Sequence, residues 1–271
     1  MKLSPAERAQ QAQFARSYQS SQLPLLQRIE RTVCGCDYGG TSWTTKGEAE
    51  HISGRLALNP GQRLMDIGAG AGWPGLFLAA LSGCDISLVD LPVEGLAIAL
   101  ERAARDRLQG HCDAIVADAR ALPFDDEYFD AITHSDVLCC LLGKQQALHE
   151  CRRVLRPGGL MVFSVISIPA TTKGKDYLHA INCGPPFVGS AHSYENMAGE
   201  SGWTIDEVID VTASYQNTVD VLIAEETRHQ HTLCAELGEE ITLQRMERNR
   251  NLAEIIANGF LRRDIYHVVP K

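Results

Sequence analysis

The sequence lacks several features that would identify whole classes of protein. No apolar run approaches the roughly 20 residues that a transmembrane helix needs, so no membrane contact is expected. Residues 1–8 lack the apolar core of a secretory signal, and a cytoplasmic location is therefore expected. The net charge of −9 argues against a large surface for nucleic acid, whose phosphates need clustered Lys and Arg. The densest basic stretch, residues 245–250, is interrupted by Glu247 and predicts a solvated helix face.

The cysteines also lack an ordered spacing. The chain has nine of them, with no C-x-x-C and no Cys/His spacing of the zinc-site kind. Several sit among apolar residues, where a reduced cysteine acts as a small hydrophobe. An odd count without a secretory signal also argues against a disulfide framework. The sequence therefore predicts no metal site.

What the sequence does contain is a glycine-rich turn between an apolar run and a helical pattern. Residues 64–67, Leu-Met-Asp-Ile, suit a buried strand, and glycines follow at positions 68, 70 and 72. Pro74 suits the first helical position and Gly83 suits the helix end. A strand, a glycine turn and a helix N-terminus together predict a nucleotide-type binding site.

Strand and helix patterns then alternate along the chain. The predicted further strands cover residues 85–90, 114–118, 129–133, 160–166, 203–211 and 262–269. Such alternation predicts a right-handed, doubly wound parallel sheet. Three segments fall outside it: residues 1–50, the loop-rich residues 169–200, and a long helical pattern over 215–259.

The glycine spacing does not fit a dinucleotide fingerprint. In G-x-G-x-x-G the third glycine follows the second by three residues, where this chain has Trp73, and Gly72 comes one residue early. The fingerprint also does not call for an acid such as Asp66 two residues before its first glycine. The spacing therefore disfavours NAD and FAD.

The chain instead resembles the class I S-adenosylmethionine-dependent methyltransferases from about residue 36 onward. Five motifs carry the resemblance in the family's order: Asp66-Ile-Gly-Ala-Gly-Ala-Gly72, Asp90 at the end of the second strand, Asp118-Ala-Arg-Ala-Leu-Pro-Phe-Asp125, Phe129-Asp130 and Leu155-Arg-Pro-Gly-Gly159. The nearest patterns are those of small-molecule enzymes of the ubiquinone- and menaquinone-biosynthesis kind.

The resemblance implies a Rossmann-like α/β fold with a seven-stranded, mostly parallel sheet, an antiparallel last strand and an α-helical cap. The expected units are an N-terminal helical cap over 1–50, a cofactor-binding core over 51–168, a lid insertion over 169–200, and the rest of the core over 201–271 with its helical insertion at 215–259.

The resemblance also implies a cofactor site. Asp90 is expected to bind the ribose, although it could instead cap the next helix or face solvent. Asp118 is expected near the adenine, with a turn-stabilising role as the alternative. Asp66 would support the glycine loop, the methionine end of the cofactor, or both. The expected set is completed by neighbouring positions, of which Gly72 suits close packing better than ligand contact: Gly68, Ala69, Gly70, Gly72, Leu91 and Ala119.

Three further side chains are expected at the site. His134 is the best general-base candidate because histidine titrates near neutral pH, with cofactor contact or packing as the alternative. Tyr38 and Trp43 could pack against the sulfonium of the cofactor, or form a hinge between cap and core. No Asn-Pro-Pro-Tyr segment is present, so adenine- and glutamine-directed amino-methylation is disfavoured.

The predicted function is methyl transfer from S-adenosylmethionine, which leaves S-adenosylhomocysteine, to a small organic acceptor in a capped pocket. Two alternatives stay open: a nicotinamide-dependent oxidoreductase on the same sheet, and a non-catalytic S-adenosylmethionine-binding protein. The sequence leaves the acceptor, the methylated atom and a homodimer undecided.

Overall fold

A computed structural model describes residues 3–271, which form one seven-stranded sheet covered by helices. The strands are β1 (Arg63–Ile67), β2 (Asp85–Asp90), β3 (Cys112–Val116), β4 (Phe129–Ser135), β5 (Leu155–Ser167), β6 (Trp203–Asp210) and β7 (Arg262–Pro270). Neighbours among β1 to β5 pair in parallel, whereas β7 lies antiparallel to both β5 and β6. The predicted seven-stranded, mostly parallel sheet is confirmed.

The strand order is β3-β2-β1-β4-β5-β7-β6. The chain therefore winds outward in both directions from β1 and β4, which lie side by side. In open α/β sheets, ligands bind outside the carboxyl ends of the strands at this point of reversal. The loops that follow β1, β2 and β4 meet at this edge.

Alternate strand residues face two separate layers of helices, as the two-residue period of a strand requires. On one face, Leu64 and Ala131 share an apolar cluster with residues of three helices. On the other face, Met65 and Ile132 share a cluster that includes two more core helices. The first layer holds α3 (Lys46–Leu56), α4 (Gly75–Ser82) and α5 (Val93–Asp106), and the second holds α6 (Lys144–Val154) and α8 (Tyr194–Glu200).

The remaining helices form a cap over the carboxyl edge of the sheet. They are α1 (Pro5–Ser20), α2 (Pro24–Cys34), α7 (Gly174–Cys183), α9 (Thr212–Arg228), α10 (Gln230–Leu237) and α11 (Glu239–Ala257). A buried apolar cluster joins Leu26 and Ile29 of α2 to Leu222 of α9 and Leu233 of α10. Helix α1 begins with a capping box, in which the Ser4 hydroxyl accepts from the Glu7 amide and the Glu7 carboxylate from the Ser4 amide.

Several predicted boundaries need correction. The segment 215–259 is three helices rather than one, because the chain turns at His229 and again at Gly238, whose φ is 92°. A boundary at residue 50 falls inside α3, where Ala49 and Ile52 are fully buried in the sheet's own cluster. Strand β4 continues through Ser135, two residues beyond its predicted end. Within residues 3–271, none of the helices has the length and apolarity needed to span a bilayer.

Candidate functional site

The loop between β1 and α4 adopts a conformation that only glycine takes readily. Gly68, Gly70 and Gly72 have φ values of 65°, 50° and 97°. A Cβ atom on Gly68 would lie 2.4 Å from Cγ2 of Val137, and one on Gly72 would lie 2.4 Å from Cδ1 of Leu76. Gly68 therefore lets the loop approach the segment after β4, and Gly72 lets the loop pack against α4.

Asp66 supports the glycine loop from its buried side. The carboxylate of this buried residue accepts a hydrogen bond of 3.1 Å from the backbone amide of Gly75. Burial raises the pKa of the Asp66 carboxyl to about 8. Asp66 does not line the cavity described below, so in this structure it supports the loop.

Asp90 lies at the carboxyl end of β2, beside the glycine loop. Its Oδ2 accepts from the Gly70 amide at 2.8 Å, and its Oδ1 accepts from the Leu91 amide at 2.7 Å. Burial raises the pKa of this carboxyl to about 6, so it is mainly ionised at neutral pH. Oδ1 keeps further acceptor capacity, and both Asp90 and Leu91 line the cavity.

Helix α1 places Tyr18 against this loop, which the sequence did not predict. A Cβ atom on Gly70 would lie 2.8 Å from the Tyr18 ring, and the Tyr18 hydroxyl donates to Asp90 over 3.4 Å. Gln11 of the same helix donates from Nε2 to the Leu91 carbonyl at 3.1 Å. The 11-18 spacing puts both side chains on one face of α1, but only the fold shows that this face meets the loop.

The structure corrects the prediction for Asp118. Its two carboxylate oxygens accept from Nε and Nη2 of Arg120 at 2.9 and 2.7 Å. Arg120 also forms a salt bridge of 2.7 Å with Glu7 of α1. Arg120 lines the cavity, whereas Asp118 and Ala119 do not. The turn-stabilising alternative therefore describes Asp118 better than direct adenine contact, because its carboxylate pairs with Arg120 and does not line the cavity.

The two aromatic residues before the core have separate positions. The Tyr38 ring lies 3.5 Å from the guanidinium carbon of Arg102 and 5.1 Å from the Trp73 ring, away from the cavity. Trp43 lines the cavity and packs edge-on against Tyr215, with ring centroids 5.3 Å apart. The position of Trp43 in the cavity wall is compatible with the predicted contact to the cofactor, whereas the position of Tyr38 is not.

His134 occupies an unexpected position for a general base. It lies within β4, is 1% exposed, and stacks on Phe163 at 4.6 Å between ring centroids. Neither ring nitrogen has a hydrogen-bond partner within residues 3–271, and burial lowers the pKa of the imidazole to about 3. The side chain does not line the cavity. This geometry speaks against the general-base prediction and favours packing, because the enclosed imidazole does not line the cavity.

The cavity itself begins at the glycine loop and Asp90 and continues beneath the cap to α11. Its volume is about 460 Å³, within the range of small-molecule sites. Its middle is largely apolar, with walls formed by Leu26, Ile29, Val33, Trp43, Leu222 and Leu252. Tyr215 also lines the cavity, and its buried hydroxyl has no hydrogen-bond partner within residues 3–271.

A buried arginine network lies beside the cavity wall, and Ser214 of the cap helix α9 joins it by donating to Glu48 at 3.4 Å. Arg263 of β7 is 0% exposed, and its Nε donates to both oxygens of Asp136 at 3.0 Å. Its Nη1 donates to both oxygens of Glu48 at 3.1 and 3.0 Å, and its Nη2 to the hydroxyls of Thr44 and Ser164 at 3.1 and 3.0 Å. Asp136 lines the cavity and has a φ of 56°. No spacing in the sequence predicts this network, because its members are far apart in the chain.

These features can bind an adenosine-type group at the loop and an organic molecule beneath the cap. Among residues 3–271, no three His, Cys, Asp or Glu side chains are grouped so as to hold a metal ion.

Comparisons with known proteins agree with this arrangement. Residues 65–163 match the methyltransferase domain family. The chain is 35% identical over 149 residues to a ubiquinone/menaquinone biosynthesis C-methyltransferase of Ruegeria, with 52% of this chain and 60% of the relative covered. It is 27% identical over 175 residues to the methyltransferase GfsG of Streptomyces halstedii, with 62% of each chain covered. The chain thus spans about three fifths of the length of these relatives.

Among solved structures, the cyclopropane synthase MmaA2 of Mycobacterium tuberculosis is similar in fold, with a TM-score of 0.76. Its sequence is 16% identical, and the match covers 94% of this chain and 98% of that one. The matched domain runs from β1 to β5 and contains the glycine loop and Asp90. Residues 65–163 are thus similar to the methyltransferase domain family, and most of the chain shares the fold of this solved structure.

Proposed function

We propose that the protein transfers a methyl group from S-adenosylmethionine to a small organic acceptor. One observation carries the proposal: a single cavity has the glycine loop and Asp90 at one end and continues as an apolar space beneath the cap. The methyltransferase relatives support the reaction class. The enclosed shape favours a small acceptor over a macromolecule.

The residues present fit the proposed cofactor. Gly68 and Gly70 line the cavity without a side chain, so a ligand can approach the loop backbone closely, and Asp90 lines the cavity beside them. Asp90 and Leu91 would hold the ribose, while Ala69 and Gly70 would lie along the cofactor. When bound, the cofactor supplies a methyl group already activated on a sulfonium. The close position of Tyr18 assigns α1 the role of covering this end of the site.

The protein's own contribution is mainly to orient the acceptor and exclude water. Alignment of reacting groups can contribute about 7–11 kcal/mol in favourable cases. Asp136 is already engaged by Arg263, and His134 is enclosed in the sheet, so the described residues provide positioning rather than an evident base. The unpartnered hydroxyl of Tyr215 is the group that we assign to hold a polar atom of the acceptor, because a buried hydroxyl without a partner is costly.

Turnover tests this proposal. The protein is incubated with S-adenosylmethionine and a panel of quinol, sterol, amine and polyketide-type acceptors, and products are identified by mass spectrometry. A methylated acceptor formed together with S-adenosylhomocysteine supports the proposal. Cofactor binding without turnover across the panel favours the non-catalytic alternative, and oxidation or reduction with a nicotinamide cofactor favours the oxidoreductase.

A further inference from the structure

The far end of the cavity carries a concentration of hydrogen-bond donors. Arg245, Arg248 and Asn249 lie on α11 with the i, i+3, i+4 spacing that places side chains on one helix face, and all three line the cavity. The sequence predicted a solvated face for this stretch. In the structure, part of that face closes the cavity, with Arg248 exposed at its rim.

One carboxylate faces these donors, and both of its oxygens already accept hydrogen bonds. Glu226 of α9 is fully buried, with one oxygen in a salt bridge to Nε of Arg245 and the other accepting from Asn249 at 2.9 Å. Within residues 3–271, the side chain of Arg248 forms no salt bridge or hydrogen bond, and both Nη groups of Arg245 also lack partners. Two guanidinium groups thus face one carboxylate, which leaves one positive charge uncompensated.

The other charged groups of the cavity wall are engaged elsewhere. Arg120 pairs with Glu7 at 2.7 Å, and Asp136 pairs with Arg263 at 3.0 Å. Glu30 accepts from the backbone amides of Gly39 and Gly40 at 2.6 and 3.1 Å, and Asp90 accepts from the backbone amides beside it. The unmatched positive charge is therefore confined to the α11 end, and the apolar walls separate it from the glycine loop.

We infer that the methyl acceptor is an amphipathic organic anion, whose carboxylate or phosphate binds Arg248 and the free Nη groups of Arg245 while its apolar body fills the cavity. The guanidinium geometry suits both kinds of anion, because its paired donors match two oxygens. This inference rests on the proposed function, since it takes the capped end of the cavity as the acceptor site.

Calorimetry with three probes of equal chain length tests the inference. Octanoate, monooctyl phosphate and octan-1-ol are titrated into protein saturated with S-adenosylhomocysteine. At least one anion is expected to bind about tenfold more tightly than the alcohol, as expected for a charge-assisted hydrogen-bonded pair partly open to solvent. The two anion arms distinguish carboxylate from phosphate, and added salt is expected to weaken only anion binding.

Substitutions on α11 test whether the preference for the anion arises there. Arg248→Met is expected to remove the preference for the anion and leave octan-1-ol binding unchanged, whereas Arg248→Lys keeps part of it. Arg250→Met is the matched control, because Arg250 is exposed on the same helix but does not line the cavity. Thermal melting confirms that each variant is folded.

Three results would overturn the inference: equal binding of alcohol and anions, an anion preference that survives Arg248→Met, or no binding of either anion at millimolar concentration. A separate titration shows whether S-adenosylhomocysteine binds at all. If it does not, the proposed function fails, and the probes are then titrated into the free protein so that the anion site is judged independently.

Discussion

The two ends of the cavity are built in different ways. The glycine-loop end consists of segments that lie close together in the sequence. The loop after β1 and Asp90 at the end of β2 both fall within residues 68–90. The capped end brings together α2, α9 and α11, which are distant in sequence and meet only in the fold. Under the proposed function, backbone geometry at the first end would hold the cofactor, and side chains at the second end would select the acceptor.

A substitution in the buried Arg263 network is expected to give the largest effect on stability. Arg263→Met leaves Glu48 and Asp136 buried without their partner, so the free energy of unfolding should fall by about 3–5 kcal/mol. Arg105→Met is the control, because this exposed residue pairs only with Asp106 and its loss should cost less than about 1 kcal/mol. Urea unfolding measures both. Equal values for the two variants would mean that the network does not join cap to core.

The glycine-loop end is tested by Asp90→Asn, which removes the charge with little change in shape. Binding of S-adenosylhomocysteine should weaken by about 1–3 kcal/mol because a charge-assisted hydrogen bond is lost. Asp85→Asn is the control, since Asp85 lies at the opposite end of β2 and accepts from the His111 amide. Calorimetry that finds the same affinity for both variants would remove Asp90 from the site.

The pH dependence of the same binding sharpens this test. The pKa of Asp90 is about 6, so the wild-type affinity should fall as the pH decreases below about 6, where the carboxyl gains a proton. The Asp90→Asn variant should lack that decrease. A decrease of the same size in the variant would assign the titration to another group.

A substitution at His134 tests whether the core next to the cavity takes part in the chemistry. His134→Phe should retain turnover, because the imidazole does not line the cavity. The folded state keeps the pKa of His134 near 3, below its ordinary value, so wild-type stability should decrease as the pH falls below about 6.5. The variant should lack this decrease, which amounts to about 2 kcal/mol in wild type at about pH 5. Lost turnover in a folded variant would restore the general-base role.

The capped end is tested by Tyr215→Phe, with the smallest expected effect. The KM for the acceptor should rise by a factor equivalent to about 1 kcal/mol, with S-adenosylhomocysteine affinity unchanged and no loss of stability, because the hydroxyl has no partner in the free protein. Tyr194→Phe is a close control, because its hydroxyl is also buried and unpartnered within residues 3–271 but does not line the cavity. Steady-state kinetics in which both variants behave alike would contradict the assignment of Tyr215.

The same contrast explains what the sequence could predict. The glycine turn, the acid at position 90 and the alternation of strands and helices follow from local periodicity and spacing, whereas the seven-stranded sheet with its antiparallel last strand was expected from the resemblance to the family. Tyr18, Tyr215 and Arg263 acquire their roles only through contacts between distant segments, which no local pattern encodes. Asp118 and His134 have local patterns that suggested a role at the site. In the fold, however, Asp118 pairs with Arg120, and His134 packs on Phe163 within the sheet.

Calorimetry of the wild-type protein with S-adenosylhomocysteine and, separately, with NADH tests the central claim most directly. The geometry of the glycine loop and Asp90 predicts saturable binding of S-adenosylhomocysteine and none of NADH. Binding of NADH alone would contradict the account.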